Sequence, residues 1–252
     1  MNVIFLGSAA SGKTSLCHAY GTWLLNQHPR SVSYINLDPG VEYLPFLPKF
    51  DLRDYFTISQ IMKQEQLGPN GAMLKANEFL FNKKDQILRS IFKEKSDFML
   101  FDTPGQLEIF VFQETGRLFL QELQEYSPTI AIYLLDATLA SSVSNLIVNL
   151  LLALAVQIQL GIEMIYILHK SDLLLNESKV KKMIEDPTYL RNSIINQNLG
   201  SITGIALAAQ RGIAELLPSM RLITTSIKPE PSGLEELHDL LHETFCACGD
   251  LT

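Results

Sequence analysis

The sequence predicts an α/β fold of three layers, a mostly parallel sheet with helices on both faces. Two observations predict it. Short apolar runs of strand length recur between longer segments with helical spacing of apolar residues, the order that produces parallel sheets. Several of those runs also end in Asp, Gly or a polar cluster, so loops rich in chemistry follow the carboxyl ends of strands, where ligands bind in open α/β sheets. The 252 residues, 47% of them apolar, suffice for one large core and are read as a single domain, 1–252.

The first unit is the most informative. Val3 to Leu6 reads as a buried strand and Ser15 to Asn26 as a helix. Between them Gly7-Ser8-Ala9-Ala10-Ser11-Gly12-Lys13-Thr14 fills every fixed position of G-x-x-x-x-G-K-[ST]. Glycines there let successive N–H groups point inward at phosphate oxygens, and the helix that follows adds its positive end. Lys13 can reach the β- and γ-phosphates and the Thr14 hydroxyl can ligate Mg2+. This is a nucleotide-phosphate site.

Val32 to Leu37 is a second strand, ended by Asp38-Pro39-Gly40. Asp38 stands where a ligand carboxylate would, although an Asx turn before proline explains the same residues. The stretch from Val41 to Tyr55, with Pro45 and Pro48, reads as a surface loop. Thr57-Ile58-Ser59-Gln60 fits a capping box opening a short helix. Leu67-Gly68-Pro69-Asn70-Gly71 breaks it as a turn between helices, and a longer helix runs from Ala72 to about Lys95.

Phe98 to Phe101 is the next strand, closed by Asp102-Thr103-Pro104-Gly105-Gln106. A carboxylate at that position holds Mg2+ directly or through water, the Gly105 N–H can sense a γ-phosphate, and the Gln106 amide can orient an attacking water. Glu108 is either a catalytic carboxylate or a solvated one in a first helical turn. Thr129 to Leu135 is a further strand, and the apolar stretch from Leu146 to Leu160 reads as a buried helix on the sheet. Its uninterrupted part, Leu150 to Val156, is too short to span a membrane. Glu163 to Leu168 ends in His169-Lys170-Ser171-Asp172, which is similar to the Asn-Lys-x-Asp guanine-recognition motif with His replacing Asn. The two Asp172 oxygens can accept from the ring N–H and the exocyclic amine of guanine, a pair adenine does not offer. The Lys170 stem can lie over the base plane. Helical segments follow to Leu216, and a last strand, Leu222 to Ser226, places Ser226 near the base. The terminal helix is Leu234 to Phe245.

A net charge of −7 argues against nucleic acid or an anionic membrane as the main partner. Three cysteines imply no disulfide framework and a reducing, cytoplasmic setting, and no targeting segment precedes the first strand. Cys246-Ala247-Cys248 reads as a frayed tail rather than a soft-metal site.

With Gly68-Pro69-Asn70 added to the phosphate loop, Asn36-Leu37-Asp38-Pro39, Arg53-Asp54, Asp102 to Glu108 and His169 to Asp172, the chain resembles the GPN-loop GTPases, from Met1 to about Leu241. The resemblance implies a P-loop domain related to signal-recognition and metal-insertion proteins, with a helical insertion at about 57–95. It further implies a homodimer binding GTP or GDP with Mg2+, Asn70 acting in trans on the partner's phosphates. Lys13, Asp38, Asn70, Asp102, Gln106 and Glu108 would then organise catalysis, and Thr14, Asp38 and Asp102 the metal. Eukaryotic relatives assist assembly and nuclear import of RNA polymerase, so RNA polymerase subunits are the implied clients. The length suits the compact archaeal members. Two departures are His169 for Asn, and Pro39-Gly40 where relatives often have Pro-Ala. Other classes remain: a nucleotide-gated scaffold with incidental hydrolysis, or a metallochaperone-type NTPase.

Overall fold

Asn2–Gly7 forms β1, buried along its whole length, and the sheet is built outward from it. In the computed structural model the described residues are 1–27, 30–174, 176–197 and 200–249, without the side chains of 108, 216–220 and 247–249. The chain continues through α1 (Lys13–Gln27), β2 (Val32–Asn36), β3 (Phe50–Asp51), α2 (Ile58–Glu65), α3 (Pro69–Asn82) and α4 (Lys84–Ile91). Next come β4 (Phe98–Asp102), α5 (Leu107–Phe112), α6 (Glu114–Tyr126), β5 (Thr129–Asp136), α7 (Ala137–Ala140) and α8 (Val143–Leu160). The last third holds β6 (Met164–His169), α9 (Glu177–Glu185), α10 (Pro187–Gln197), α11 (Thr203–Met220), β7 (Ile223–Thr225) and α12 (Leu234–Gly249).

The strands form one seven-stranded sheet in the order β3-β2-β4-β1-β5-β6-β7, every pairing between them parallel. Alternation along β1 sends Val3 and Phe5 into one apolar layer and Ile4 and Leu6 into the other. The first layer packs under α1 and α12 through Leu16, Tyr20, Leu237 and Leu241; the second lies under the insertion helices, α6 and α8 through Leu80, Leu120, Leu150 and Val156. Burial on both faces explains why the strands are continuously apolar rather than alternating. Each such side chain contributes roughly 1.5–3 kcal/mol relative to exposure.

Four expectations change. The stretch from Val41 to Tyr55 is not all loop: Phe50 and Asp51 pair with Ile35 and Asn36 as an edge strand. Gly68-Pro69-Asn70 is not a free turn, since Gly68 is the N-cap of α3 with Pro69 at the first helical position, where its missing N–H costs nothing. The long helix after it is broken at Lys83 into α3 and α4. Finally, α8 buries only one face. Leu146, Leu150 and Val156 point inward, whereas Val148 and Ile158 are 62% and 83% exposed. By length and composition alone α8 could cross a membrane, but its inner stripe packs on α5, α6, α11 and β5. The capping box of Thr57 forms as read, its Oγ1 accepting from Gln60 N–H at 3.2 Å while Gln60 Oε1 accepts from Thr57 N–H at 2.9 Å.

Candidate nucleotide site

Because all strands run the same way, β1, β2, β4, β6 and β7 deliver their following loops to one edge of the sheet. The phosphate loop leaves β1 and closes on α1 through Leu16 N–H donating to Gly12 O at 2.9 Å. Gly12 has φ of +99°, and a Cβ there would stand 2.8 Å from the His169 ring. Only glycine meets both demands. Lys13 is buried and arches back over the loop, donating to Gly7 O and Ser8 O at 2.9 Å each. Ser11 is buried, a Cβ on Gly105 would lie 3.5 Å from Ala9 Cα, and Ala9, Ala10 and Ser15 are exposed. Gly12, Lys13, Thr14, Ser15, Asp38 and Gly105 line a cavity of about 330 Å3.

At the floor of that cavity the Thr14 hydroxyl donates to Asp102 Oδ2 at 2.6 Å. Asp102 is fully buried, and its Oδ1 accepts no hydrogen bond. Burial pushes its pKa up to about 7, against the Thr14 hydrogen bond and with the negative charge of Asp38 adding to the rise. Burial also raises Asp38, opposed by N–H groups of Gly40 and Gly105 and by the Lys13 charge. Two buried carboxylates, one raised further by the charge of the other and carrying an orphaned oxygen, beside a hydroxyl, are an arrangement a cation relieves. No cluster of three or more His, Cys, Asp or Glu suited to a metal exists among the described residues. The donor set therefore fits an ion that takes its remaining oxygens from phosphates and water, as Mg2+ does. Thr14, Asp38 and Asp102 are the residues that would hold it.

The insertion reaches the same edge. Gln106 Nε2 approaches Asn70 Oδ1 of its own chain at 3.4 Å, and Gln106 Oε1 is buried with no acceptor role filled. The tripeptide thus stands beside the glutamine in cis. The side chain of Glu108, at the start of α5, lies outside the described residues.

On the other flank, Lys170 adopts φ of +64° and donates to Ala10 O at 2.7 Å and to Asp136 Oδ2 at 2.6 Å. It ties the base-side loop to the phosphate loop. Asp172 is exposed and shares a cavity of about 450 Å3 with Ser171, Ser226, Lys228 and Ser232. Ser226 is buried and bonded to Ser232 Oγ at 2.9 Å. His169 is not among the residues lining that cavity. Its ring is buried, Nδ1 lies 2.9 Å from Thr225 Oγ1, and the opposite edge abuts Gly12. Burial, then the Lys170 charge, lowers its pKa to about 4, so it is neutral near pH 7.

Sequence reasoning passed over Thr103, whose hydroxyl straps β4 to Phe5 O at 2.6 Å, and Asp136 and Thr225, which hold Lys170 and His169. All three sit at carboxyl ends of strands, the same signal that singled out Asp38 and Asp102.

A family described as conserved hypothetical ATP binding proteins matches residues 5–247. The GPN-loop GTPase PAB0955 of Pyrococcus abyssi is 34% identical over 257 residues, 100% of both chains. Its crystal structure, described as a GTPase in apo form, is similar with a TM-score of 0.85 at 33% identity over 98% of each chain. GPN-loop GTPase 1 of Schizosaccharomyces pombe is 30% identical over 256 residues, covering 99% of this chain and 64% of its own.

Proposed function

The chain belongs to the GPN-loop GTPase family, and from that premise we propose that it is a homodimeric, Mg2+-dependent switch whose GTP cycle governs its grip on a protein client. The observation that carries the reading is the Thr14–Asp102 contact with the orphaned Asp102 oxygen beside Asp38, under a complete phosphate loop. In hydrolysis a water oxygen bonds to the γ-phosphorus, the bond from that phosphorus to the β–γ bridging oxygen breaks, and GDP, phosphate and a proton leave. The negative charge that develops must be met by groups already in place. Lys13 can exchange the carbonyls of Gly7 and Ser8 for phosphate oxygens. Mg2+, held by Thr14, Asp38 and Asp102, would supply further neutralisation of the phosphate charge. Gln106 holds a buried amide oxygen that can accept from the attacking water, and Asn70 of the same chain lies beside its Nε2.

Base selection falls to Asp172, the exposed carboxylate of the outer cavity, with Lys170 and Ser226 fixing the loops around it. The family description names ATP and the relatives' names specify GTP, so the base is the direct test. The expected result is a marked preference for GTP over ATP, with Asp172→Asn weakening GTP by about 10-fold or more and admitting xanthosine triphosphate, whose ring presents the reversed pattern. Equal ATP and GTP affinities in the unaltered protein would overturn it. The family resemblance points to RNA polymerase subunits as the client class. Pull-downs in GTP-like and GDP states, expected to differ in those subunits, test that part separately.

A further inference from the structure

Asp38 is held by a closed ring of hydrogen bonds, and that ring includes three residues outside the nucleotide cavity. The Asn36 side chain is fully used within the chain. Its Oδ1 accepts from Asp38 N–H at 3.0 Å, while Nδ2 donates to Asp38 O at 3.1 Å and to Asp51 Oδ1 at 2.8 Å. Asn36 is completely buried, so these partners have no competition from bulk water. Asp51 is gripped in turn by the Arg53 fork, Nε at 3.0 Å to both oxygens and Nη2 at 2.6 Å to Oδ2. The remaining Arg53 nitrogen, Nη1, donates to the carbonyls of Val41 at 3.2 Å and Glu42 at 3.4 Å. Gly40 N–H donates to Asp38 Oδ1 at 2.8 Å, and the peptide chain from Gly40 to Val41 closes the circuit.

We propose that Asn36, Asp51 and Arg53 are positioning residues that set the aim of the Asp38 carboxylate and lock to it the loop that follows. None of the three touches the cavity. Their effect runs through the Asp38 backbone, gripped at both its N–H and its C=O by one rigid amide. The edge strand β3 places Asp51 alongside Asn36, one of the two register pairs of the β2–β3 ladder. The loop held by Arg53 displays Tyr43 and Leu47, 77% and 91% exposed, so the ring joins the metal carboxylate to an outward apolar surface. Charge alone does not make this arrangement. A bidentate fork is required, which lysine cannot supply.

The inference rests on the GTPase reading, and its test separates the two. Fluorescent GDP affinity is measured with EDTA and with Mg2+ for the unaltered protein, Arg53→Lys and Asp51→Asn, alongside melting temperature and chymotrypsin cleavage at Tyr43. In both variants the gain in affinity from Mg2+ should fall by about tenfold, as for groups that orient metal ligands, while EDTA affinity stays within about twofold. Cleavage of the Mg2+–GDP form should quicken. An unchanged Mg2+ gain, or parallel losses in EDTA and Mg2+, would overturn the proposal whatever happens to melting temperature. Should Asp51→Asn fail to fold, Arg53→Lys decides alone. Absent GDP binding by the unaltered protein, the failure belongs to the GTPase reading instead.

Discussion

His169 stands where a base-reading amide is expected and is instead the wedge between β7 and the phosphate loop. Its neutrality has a consequence with a definite sign. The folded pKa of about 4 lies below the unfolded 6.5, so between those values the unfolded chain binds a proton that the folded chain refuses. This contribution to stability is whole above about pH 6.5 and is lost as pH falls toward 4, up to about 3 kcal/mol at the lower end. Asp102, raised by burial, has the opposite slope, its proton stabilising the empty fold at low pH and being lost toward pH 7. Urea unfolding at pH 7.5, 6.5 and 5.5 should therefore show a shallower loss toward acid in His169→Asn than in the unaltered protein. Identical slopes would mean that the ring is not buried as described. Gln106→Leu acts on a different quantity. Turnover should drop by about 10²-fold with GTP affinity nearly kept, because the amide is needed when water attacks. A change confined to affinity would assign Gln106 to binding.

At the scale of elements, α5 and α6 are joined so tightly that Gly116 cannot be replaced. A Cβ there would overlap the Phe110 carbonyl oxygen, and backbone has no flexible end to swing aside. Gly116→Ala should cost about 3 kcal/mol and, by shifting α5, disturb Gln106 at its N-cap. Thermal unfolding together with turnover checks this; loss of turnover without loss of stability would contradict it. How legible each element was follows from where its determinants lie. The capping box at Thr57 and Gln60 is local chemistry and could be read directly. Phe50-Asp51 could not, because two residues have no period and only pairing with β2 makes them a strand. For the same reason the break at Lys83 was invisible: its flanking apolar residues keep helical spacing across it. The outer face of α8 was missed because periodicity cannot separate one apolar stripe from two.

For the whole molecule, the strand ends chosen from sequence do converge on one edge, since a parallel sheet leaves them no other place. What the residues alone did not disclose is which neighbour each would hold: Lys170 on Ala10, His169 under Gly12, Asn70 beside Gln106. The last contact sharpens the question of a shared site. Under the proposed homodimer, Lys13→Ala and Asn70→Ala chains are each nearly inactive alone, and mixing them should restore about one working site per heterodimer if Asn70 serves its partner. If its duty is the cis contact with Gln106, mixed dimers will show no activity above the parents. Single-turnover hydrolysis by separated heterodimers gives the answer.

The position of β1 at the middle of the sheet also imposes an order in time. Its two neighbours, β4 and β5, follow it by roughly a hundred residues of chain, so its pairing waits on long-range closure. At about 5–20 residues per second of synthesis, the phosphate loop is without walls for several seconds after it is made. During that interval an apolar strand meant for burial on both faces is open to whatever meets it first. The nucleotide site cannot exist on the nascent chain before Asp136 has emerged, and its base side must wait further for Thr225. The first strand made is thus covered only by strands made much later, and the nucleotide site is complete only when nearly the whole chain has been made.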